Sequence, residues 1–302
     1  MGTQVRVEVW HENETTASRA IAEVMAEMRR IDAAMSPFKP GSLLSRINRD
    51  AGFEPVVITS ELLEIIGRAQ AMSRLTKGAF DITFASAGHL YNYRHKRKPT
   101  DRQLKQARQV IDYRLIQLDP ETKTIRFTRK GVRIDLGGIA KGYAVDRGIA
   151  LLKQAGMTSA LVSAGGDSRI LGDRRGRPWM MGVRDPNKPK AMVAILPIAN
   201  EAISTSGDYE RYFDEGGQRY HHILNPRTGT PVQGVQAVTV IGPDAMTTDA
   251  WSTSLFVLGV EAGLSLVNQT PGLEAIIIDA RDRLHASSGL QRLTTSGAGK
   301  VQ

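Results

Sequence analysis

Hydrophobic residues recur along the chain with two periods, one typical of helices and one typical of strands. Between residues 14 and 35, apolar side chains return every three to four positions, which predicts an amphipathic helix with a buried stripe. A second helical pattern begins at Ser60, placed at the N-cap, and ends near residue 76. Residues 4–10 instead alternate between apolar and polar side chains, so we expect a strand there.

The rest of the chain predicts more strands than helices. Residues 140–154 have helical spacing and stop before Gly156, a residue type that ends helices. A helix from about Thr248 and a final helix and strand within 261–279 follow. Strands are predicted at 115–118, 124–128, 132–136, 159–163, 179–184, 192–196, 201–205, 219–224 and 235–241. This order favours an α+β protein with mixed or antiparallel sheets over an alternating doubly wound fold.

Length and composition narrow the class of protein. The 302 residues are about twice the length of a typical domain, which predicts one large unit or two interlocked subdomains. With 41% hydrophobic and 24% charged residues, the composition is that of a globular protein, and no apolar run is long enough for a membrane span. The absence of cysteine excludes disulfides and thiolate ligands, so any bound metal must be held by oxygen or imidazole.

The charge balance favours anionic partners without identifying one. Forty basic and thirty-one acidic residues give a net charge of +9, which suits anionic ligands, nucleic acid or an anionic membrane face. The densest basic cluster, residues 94–98, has no groove-reading motif beside it, so we interpret it as a solvated loop. Charge alone supports nucleic-acid binding, and we expect none.

Six connections between predicted elements combine glycines, hydroxyls and carboxylates, and functional residues concentrate in connections. These connections are residues 78–81, 135–142, 163–167, 204–208, 221–229 and 247–253. Each also has a purely structural interpretation. Asp81, Asp167 and Asp208, for example, lie where capping and Asx-turns are common.

The segment 135–142 places glycines and free backbone N–H groups at the start of a helix, a geometry that binds phosphate. Its glycine spacing matches neither a Walker A loop nor a dinucleotide fingerprint. A tight turn in which Asp135 caps the helix is an equally good interpretation. Lys141, if it turns toward the loop, would supply the positive charge for an anion.

Two later segments carry candidate metal and proton-transfer chemistry. Asp249 and Thr253 are four residues apart on a predicted helix, so they share one face, and a carboxylate with a hydroxyl suits Mg²⁺. The alternative is an acidic residue stabilising the first turn of a helix. His222 could act as a general base, and alternation along a strand would turn His221 to the opposite face.

Together and in this order, the six segments resemble the ApbE family of flavin transferases, the FAD:protein FMN transferases. The resemblance covers nearly the whole chain and implies an ApbE-like, T-fold-related architecture. It implies transfer of the FMN half of FAD to a threonine hydroxyl of an acceptor protein through a phosphoester bond, with Mg²⁺ required and AMP released. Further matching positions are 35–38, Ser42, Ser45, Arg46, Asn48, Tyr143, Asp146, 202–210 and 258–259.

The family pattern also implies residue roles. The side chains of Asp249 and Thr253 and the carbonyl of Gly138 would hold the metal. His222 would be the base, and Asp208 would help to form the catalytic site together with Ser206. The residues implied to contact FAD are Met35, Ala79, Phe80, Asp81, Asp135, Lys141 and Ile223.

The resemblance implies a partner and a location, and this sequence departs from the family pattern at two places. It implies an acceptor subunit of a redox membrane complex and a periplasmic or cell-envelope location. Because the chain shows no signal segment, a cytoplasmic location is the alternative. Some members have a carboxylate where this chain has Ser252, and residues 82–90 depart from the usual sequence. A Mg²⁺-dependent FAD pyrophosphatase and a non-catalytic flavin-binding protein are the alternative functions.

Overall fold

A seven-stranded antiparallel sheet forms the centre of the fold in the computed structural model, which describes residues 2–188 and 190–290. Side by side, its strands are β1 (Val5–Trp10), β5 (Ser159–Ala164), β6 (Asp167–Leu171), β9 (Ala202–Gly207), β14 (Val235–Gly242), β15 (Glu274–Asp279) and β16 (Leu284–Ala286). Every neighbouring pair in this sheet is antiparallel. The α+β class predicted from the sequence is confirmed.

Smaller β-structures surround the central sheet. A three-stranded sheet has the order β2 (Val56–Val57), β4 (Thr124–Phe127), β3 (Ile116–Asp119). Three two-stranded sheets pair β7 (Trp179–Arg184) with β8 (Met192–Ile198), β10 (Tyr212–Glu215) with β11 (Gln218–His221), and β12 (Leu224–Asn225) with β13 (Thr230–Pro231).

The larger helices cover one face of the central sheet. The α-helices are α1 (Glu14–Met35), α2 (Leu43–Asp50), α3 (Ser60–Leu75), α4 (Ala85–Gly88), α5 (Asp101–Arg108), α6 (Ala140–Gln154), α7 (Ala245–Leu258) and α8 (Val260–Asn268). Over residues 2–188 and 190–290, none of these helices combines the length and the apolar composition that a bilayer span requires.

Strand alternation divides the core into two sides. On β5, Val162 packs with α1 and α6, whereas its neighbour Leu161 packs with Trp179 under the β7–β8 hairpin. On β14 and β15 the same alternation buries one set of side chains against α7 and α8 and the other against the hairpin. The fold therefore has three layers, with the sheet between the helices and the hairpin.

Residues 132–136 are not a strand, although their apolar and polar residues alternate. Their backbone finds side-chain partners instead of a neighbouring strand. Asn48 bonds both the N–H (2.7 Å) and the carbonyl (2.8 Å) of Ile134, and Ser86 Oγ accepts from the N–H of Arg133 (3.0 Å). The alternation reflects burial of Ile134 and its neighbours Val132 and Leu136 in the core. The segment enters the glycine turn as ordered, hydrogen-bonded coil.

Several predicted boundaries are corrected by local contacts. Thr59, not Ser60, caps α3, because its hydroxyl accepts from the N–H of Leu62. The expected strand at 219–224 is divided between β11 and β12, and β6 and β10 are strands that the sequence pattern did not predict.

Helix α7 begins at Ala245, three residues before the predicted start. Asp244 is its N-cap and accepts from the N–H of Thr247 (2.8 Å). Asp249 therefore lies beyond the first turn, so a favourable interaction with the helix dipole does not account for this carboxylate.

Helices α6 and α7 approach so closely that only glycine fits at position 142. A Cβ on Gly142 would lie 2.0 Å from the carbonyl oxygen of Ala245 and 2.8 Å from Cα of Met246. Asp146, one turn later on α6, accepts from the N–H groups of Ala245 and Met246, both at 2.9 Å. These contacts fix the start of α7 against α6.

We expect Gly142→Ala to destabilise the protein by more than about 2 kcal/mol, because the added methyl group must push two helix backbones apart. Gly67→Ala in α3 is the matched control: a Cβ there meets nothing within 4 Å, so the change should raise stability by about 0.5–1 kcal/mol. Urea unfolding measures both. Equal effects of the two substitutions would contradict the close approach.

Candidate active site

The ammonium group of Lys141 connects two buried carboxylates at the start of α6. Its Nζ lies 2.7 Å from Oδ1 of Asp249, on α7, and 2.9 Å from Oδ2 of Asp167, on β6. It also donates to the carbonyl of Gly137 at 2.9 Å. Both carboxylate residues are 1% exposed. We call these residues, Lys141, Asp167 and Asp249, the lysine–carboxylate cluster.

The cluster places opposing electrostatic forces on Asp249. Burial and repulsion from Asp167 raise the pKa of Asp249 to about 7, although Lys141 favours its ionised form. The second oxygen, Oδ2, accepts from the N–H of Gly142 at 3.0 Å. For Lys141, burial opposes the charge, but attraction to the two carboxylates is larger and raises its pKa.

A row of hydroxyls continues from the cluster along α7. Ser206 Oγ on β9 lies 2.8 Å from Oγ of Ser252 and 3.3 Å from Oγ1 of Thr253. Gly138 lies against the same row, because a Cβ there would be 3.2 Å from Thr253 Oγ1 and 3.3 Å from the ring of Phe80. The structure thus brings together Gly138 and Thr253, which the family resemblance implies as metal ligands, and Phe80, which it implies as an FAD contact.

The oxygen atoms around the cluster are the kind of ligand that binds a hard divalent cation such as Mg²⁺. Asp249, Thr253 and Gly138 supply oxygen atoms, and the buried Oδ2 of Asp167 is paired with the ammonium group of Lys141 at 2.9 Å. In this structure the ammonium group of Lys141 neutralises the two carboxylates, as a bound metal ion would. In the described part of the chain, no group of three or more His, Asp or Glu side chains that could hold a metal ion is found, at this cluster or away from it. This small number of protein ligands is typical of Mg²⁺, because the ion usually keeps several water ligands and binds substrate phosphates.

Asp135 holds the glycine turn and does not cap α6. Its Oδ1 accepts from the N–H of Gly137 at 2.7 Å, whereas the N-cap position belongs to Ile139, which makes no side-chain cap bond. Burial raises the pKa of Asp135. The first turn of α6 therefore keeps the N-terminal character that favours an anion.

His222 is a neutral imidazole with a free nitrogen. Its Nδ1 is buried without a hydrogen-bond partner, and burial together with the positive charge of Arg211 lowers its pKa to about 3. The backbone N–H of His222 donates to the carbonyl of Arg211 at 3.1 Å. His221 is engaged elsewhere, with Nε2 2.8 Å from the carbonyl of Val232 and its ring packed edge-on against Phe256.

The remaining predicted residues have structural contacts of their own. Both oxygens of Asp81 are engaged, by Thr83 and by the N–H of Tyr113, and burial raises its pKa to about 6. Asp208 lies 3.2 Å from the guanidinium of Arg219, and burial raises its pKa. Met35, at the end of α1, and Ile223 are buried in the core, and Ala79 is half-buried beside Phe80.

Sequence reasoning missed two residues of the site. Asp167 was interpreted as a turn residue, but it begins β6 and faces the helices, where it meets Lys141. The signal lay in strand alternation, which turns Asp167 and Leu171 to the same side. Arg211 gave no sequence signal, because its position depends on the backbone contact with His222.

The whole chain resembles known flavin transferases. The model of the ApbE family matches residues 1–277. A FAD:protein FMN transferase of Treponema pallidum is 32% identical over 312 residues, covering 96% of this chain and 85% of the relative. The crystal structure of the ApbE protein from Thermotoga maritima has a TM-score of 0.90 and 35% identity, covering 96% of each chain. For flavin transferase ApbE from Vibrio cholerae the TM-score is 0.86 and the identity 28%, covering 97% of this chain and 96% of that one.

We expect Asp249→Asn to change the pH dependence of stability in metal-free buffer. The folded-state pKa of about 7 lies above the unfolded value of about 4, so the proton on Asp249 stabilises the fold below about pH 4 and this contribution is lost as the pH rises toward 7. The asparagine variant lacks it, and the carboxylates outside the lysine–carboxylate cluster cancel in the comparison. Urea unfolding from pH 4 to pH 8 should therefore show wild type losing more stability with rising pH than the variant. Parallel pH curves would contradict the raised pKa.

Proposed function

The chain belongs to the ApbE family, and we propose that it transfers FMN from FAD to a threonine hydroxyl of an acceptor protein, with Mg²⁺ required and AMP released. The observation that carries the proposal is the lysine–carboxylate cluster. It lies at a glycine turn and helix start suited to phosphate, beside a row of hydroxyls and an imidazole with a free nitrogen.

The proposed reaction exchanges one phosphate bond for another. The threonine oxygen forms a bond to the phosphorus of the FMN half of FAD, the diphosphate P–O bond breaks, and AMP leaves with that oxygen. The hydroxyl proton passes to a base. Such a transfer requires neutralised phosphate charge, a positioned hydroxyl and little covalent chemistry from the protein.

Residues at the start of α6 and along α7 would bind the diphosphate end of FAD. The side chains of Asp249 and Thr253 and the carbonyl of Gly138 would hold Mg²⁺, which supplies charge neutralisation at the phosphates. Lys141 favours the ionised form of Asp249, and this is the form that binds a cation. The residues that we assign to contacts with FAD are Met35, Ala79, Phe80, Asp81, Asp135, Lys141 and Ile223.

His222 would accept the proton of the threonine hydroxyl. Its unprotonated state and its free Nδ1 allow it to accept a proton, and its lowered pKa makes it a weaker base than an exposed histidine. Burial is the main cause of this lowered pKa, and the charges of Arg211 and Lys141 lower it further. An anionic diphosphate would offset these two charges and increase the proton affinity of the imidazole. Asp208 and Ser206 would support the site beside it.

The proposal also covers the acceptor protein and the cellular location of this protein. We propose that the acceptor is a threonine-bearing subunit of a redox membrane complex, and that the protein works in the periplasm or cell envelope. A FAD pyrophosphatase would use the same residues with water in place of the hydroxyl.

Incubation with FAD, Mg²⁺ and a threonine-bearing acceptor should add the mass of FMN to the acceptor, as measured by mass spectrometry. Asp249→Ala should abolish the transfer while circular dichroism stays unchanged. Asp101→Ala, at an exposed position in the first turn of α5, is the control and should retain full activity. FMN and AMP released at an equal rate without acceptor, and no labelled acceptor, would instead identify a pyrophosphatase.

We expect His222→Ala to slow transfer about 10²–10⁴-fold, because the hydroxyl loses its base. The depressed pKa adds a second expectation: an ionisation near pH 7 in the kcat/KM profile belongs to Asp249 and should be the same in wild type and in His222→Ala. His95→Ala, in the exposed 94–98 loop, controls for loss of a histidine elsewhere. A loss smaller than tenfold would remove His222 from the role of base, and an inflection near pH 6.5 that disappears in His222→Ala would contradict its lowered pKa.

A further inference from the structure

The outer face of the β7–β8 hairpin is apolar and exposed. Met180 and Ile195 are each 60% exposed and Met192 is 52% exposed. The register pairs Gly182 with Ile195, and Met192 lies over Gly182, so these side chains form one continuous ridge. The alternate residues of the same strands, such as Trp179, are buried against the central sheet. Exposed apolar ridges of this kind mark interaction surfaces.

Three arginines stand beside this ridge in the turn before β7. Arg174 lies 5.6 Å from the ring of Trp10 and 5.5 Å from that of Trp179, and Arg175 lies 4.3 Å from Trp10. Arg177 completes the turn, where its carbonyl accepts from the N–H of Arg174 at 2.6 Å. The aromatic rings thus hold the guanidinium groups on the hairpin side of the sheet.

The turn and the ridge enclose two adjoining cavities. The larger, of about 680 Å³, is lined by the three arginines with Trp10, Pro178 and Met180. The smaller, of about 270 Å³, shares Arg174 and Met180 and is also lined by Trp179. The walls therefore combine guanidinium groups with methionine side chains, and the carboxylate of Glu8 also lines the smaller cavity. Guanidinium groups beside apolar side chains suit a phosphate attached to an acyl chain.

We propose that the β7–β8 hairpin and the 173–178 turn dock on an anionic phospholipid surface. Residues 173–198 contain six basic and two acidic residues, so the face is strongly cationic around its apolar ridge. Basic residues attract the protein to anionic headgroups, while apolar side chains enter the interface. A second copy of this face would bring like charges together, which disfavours self-association.

Docking on this side leaves the candidate active site accessible. Strand alternation places the lysine–carboxylate cluster on the helix side of the central sheet, whereas the hairpin covers the opposite side. The membrane face and the transfer site are therefore separated by the thickness of the sheet. The inference does not depend on the proposed function, because none of its residues belongs to that site.

Co-sedimentation with vesicles tests the proposal. The protein should bind phosphatidylcholine vesicles that contain phosphatidylglycerol, and binding should weaken as salt is added. Replacing Arg174, Arg175 and Arg177 with Gln should lower the partition coefficient by about 100-fold, since each basic residue near an anionic surface contributes about fivefold. Met180→Ser with Ile195→Ser should lower it by about tenfold while the net charge stays constant.

A matched triple variant separates this face from general electrostatic attraction. Arg94→Gln, Lys96→Gln and Arg97→Gln remove the same charge from the exposed 94–98 loop, and we expect binding within about threefold of wild type. The circular dichroism spectrum and the urea unfolding midpoint should be unchanged in every variant, which controls for folding. Equal losses in the two triple variants, no binding to the anionic vesicles, or stabilisation by inorganic phosphate without vesicle binding would each overturn the proposal.

Discussion

The close approach of α6 and α7 at Gly142 is the constraint on which the candidate site depends. The missing side chain lets the two backbones meet, and the N–H of Gly142 then donates to Oδ2 of Asp249, a residue that is otherwise enclosed by the core. The neighbouring residue, Lys141, is thereby placed beside the other oxygen of the same carboxylate. The absence of a side chain at Gly142 therefore determines both how closely α6 and α7 pack and where Lys141 and Asp249 lie relative to each other.

The three charges of the lysine–carboxylate cluster depend on one another. A buried carboxylate loses its hydration, and two adjacent ones repel each other, so Asp167 and Asp249 require Lys141 between them. Replacing such a set with apolar residues commonly preserves or increases stability, which makes a purely structural role a poor explanation for it. The arrangement is consistent with the proposed function, in which a cation and a phosphate would share the neutralising role that Lys141 has alone in this structure.

Periodicity in the sequence located the elements that bury one clear stripe, and it failed where hydrogen bonding decided the outcome. The bounds of α6 and the strand β1 follow from local pattern. Residues 132–136 alternate as a strand would, but Asn48, far away in sequence, takes the backbone bonds that a strand needs. The pairing of Asp167 with Lys141 was beyond local pattern for the same reason, because it joins a strand to a helix across the core.

Side chains alternate between the two faces of the central sheet, so the sheet separates the lysine–carboxylate cluster on one face from the cationic, apolar surface on the other. Asp167 and Ser168 are adjacent in β6, yet the first reaches Lys141 on the helix side and the second lines a cavity on the hairpin side. A change of register by one residue would exchange the two faces and place the carboxylate among the arginines. The antiparallel pairing of β5, β6 and β9 therefore fixes both surfaces at once, and neither can be moved without the other.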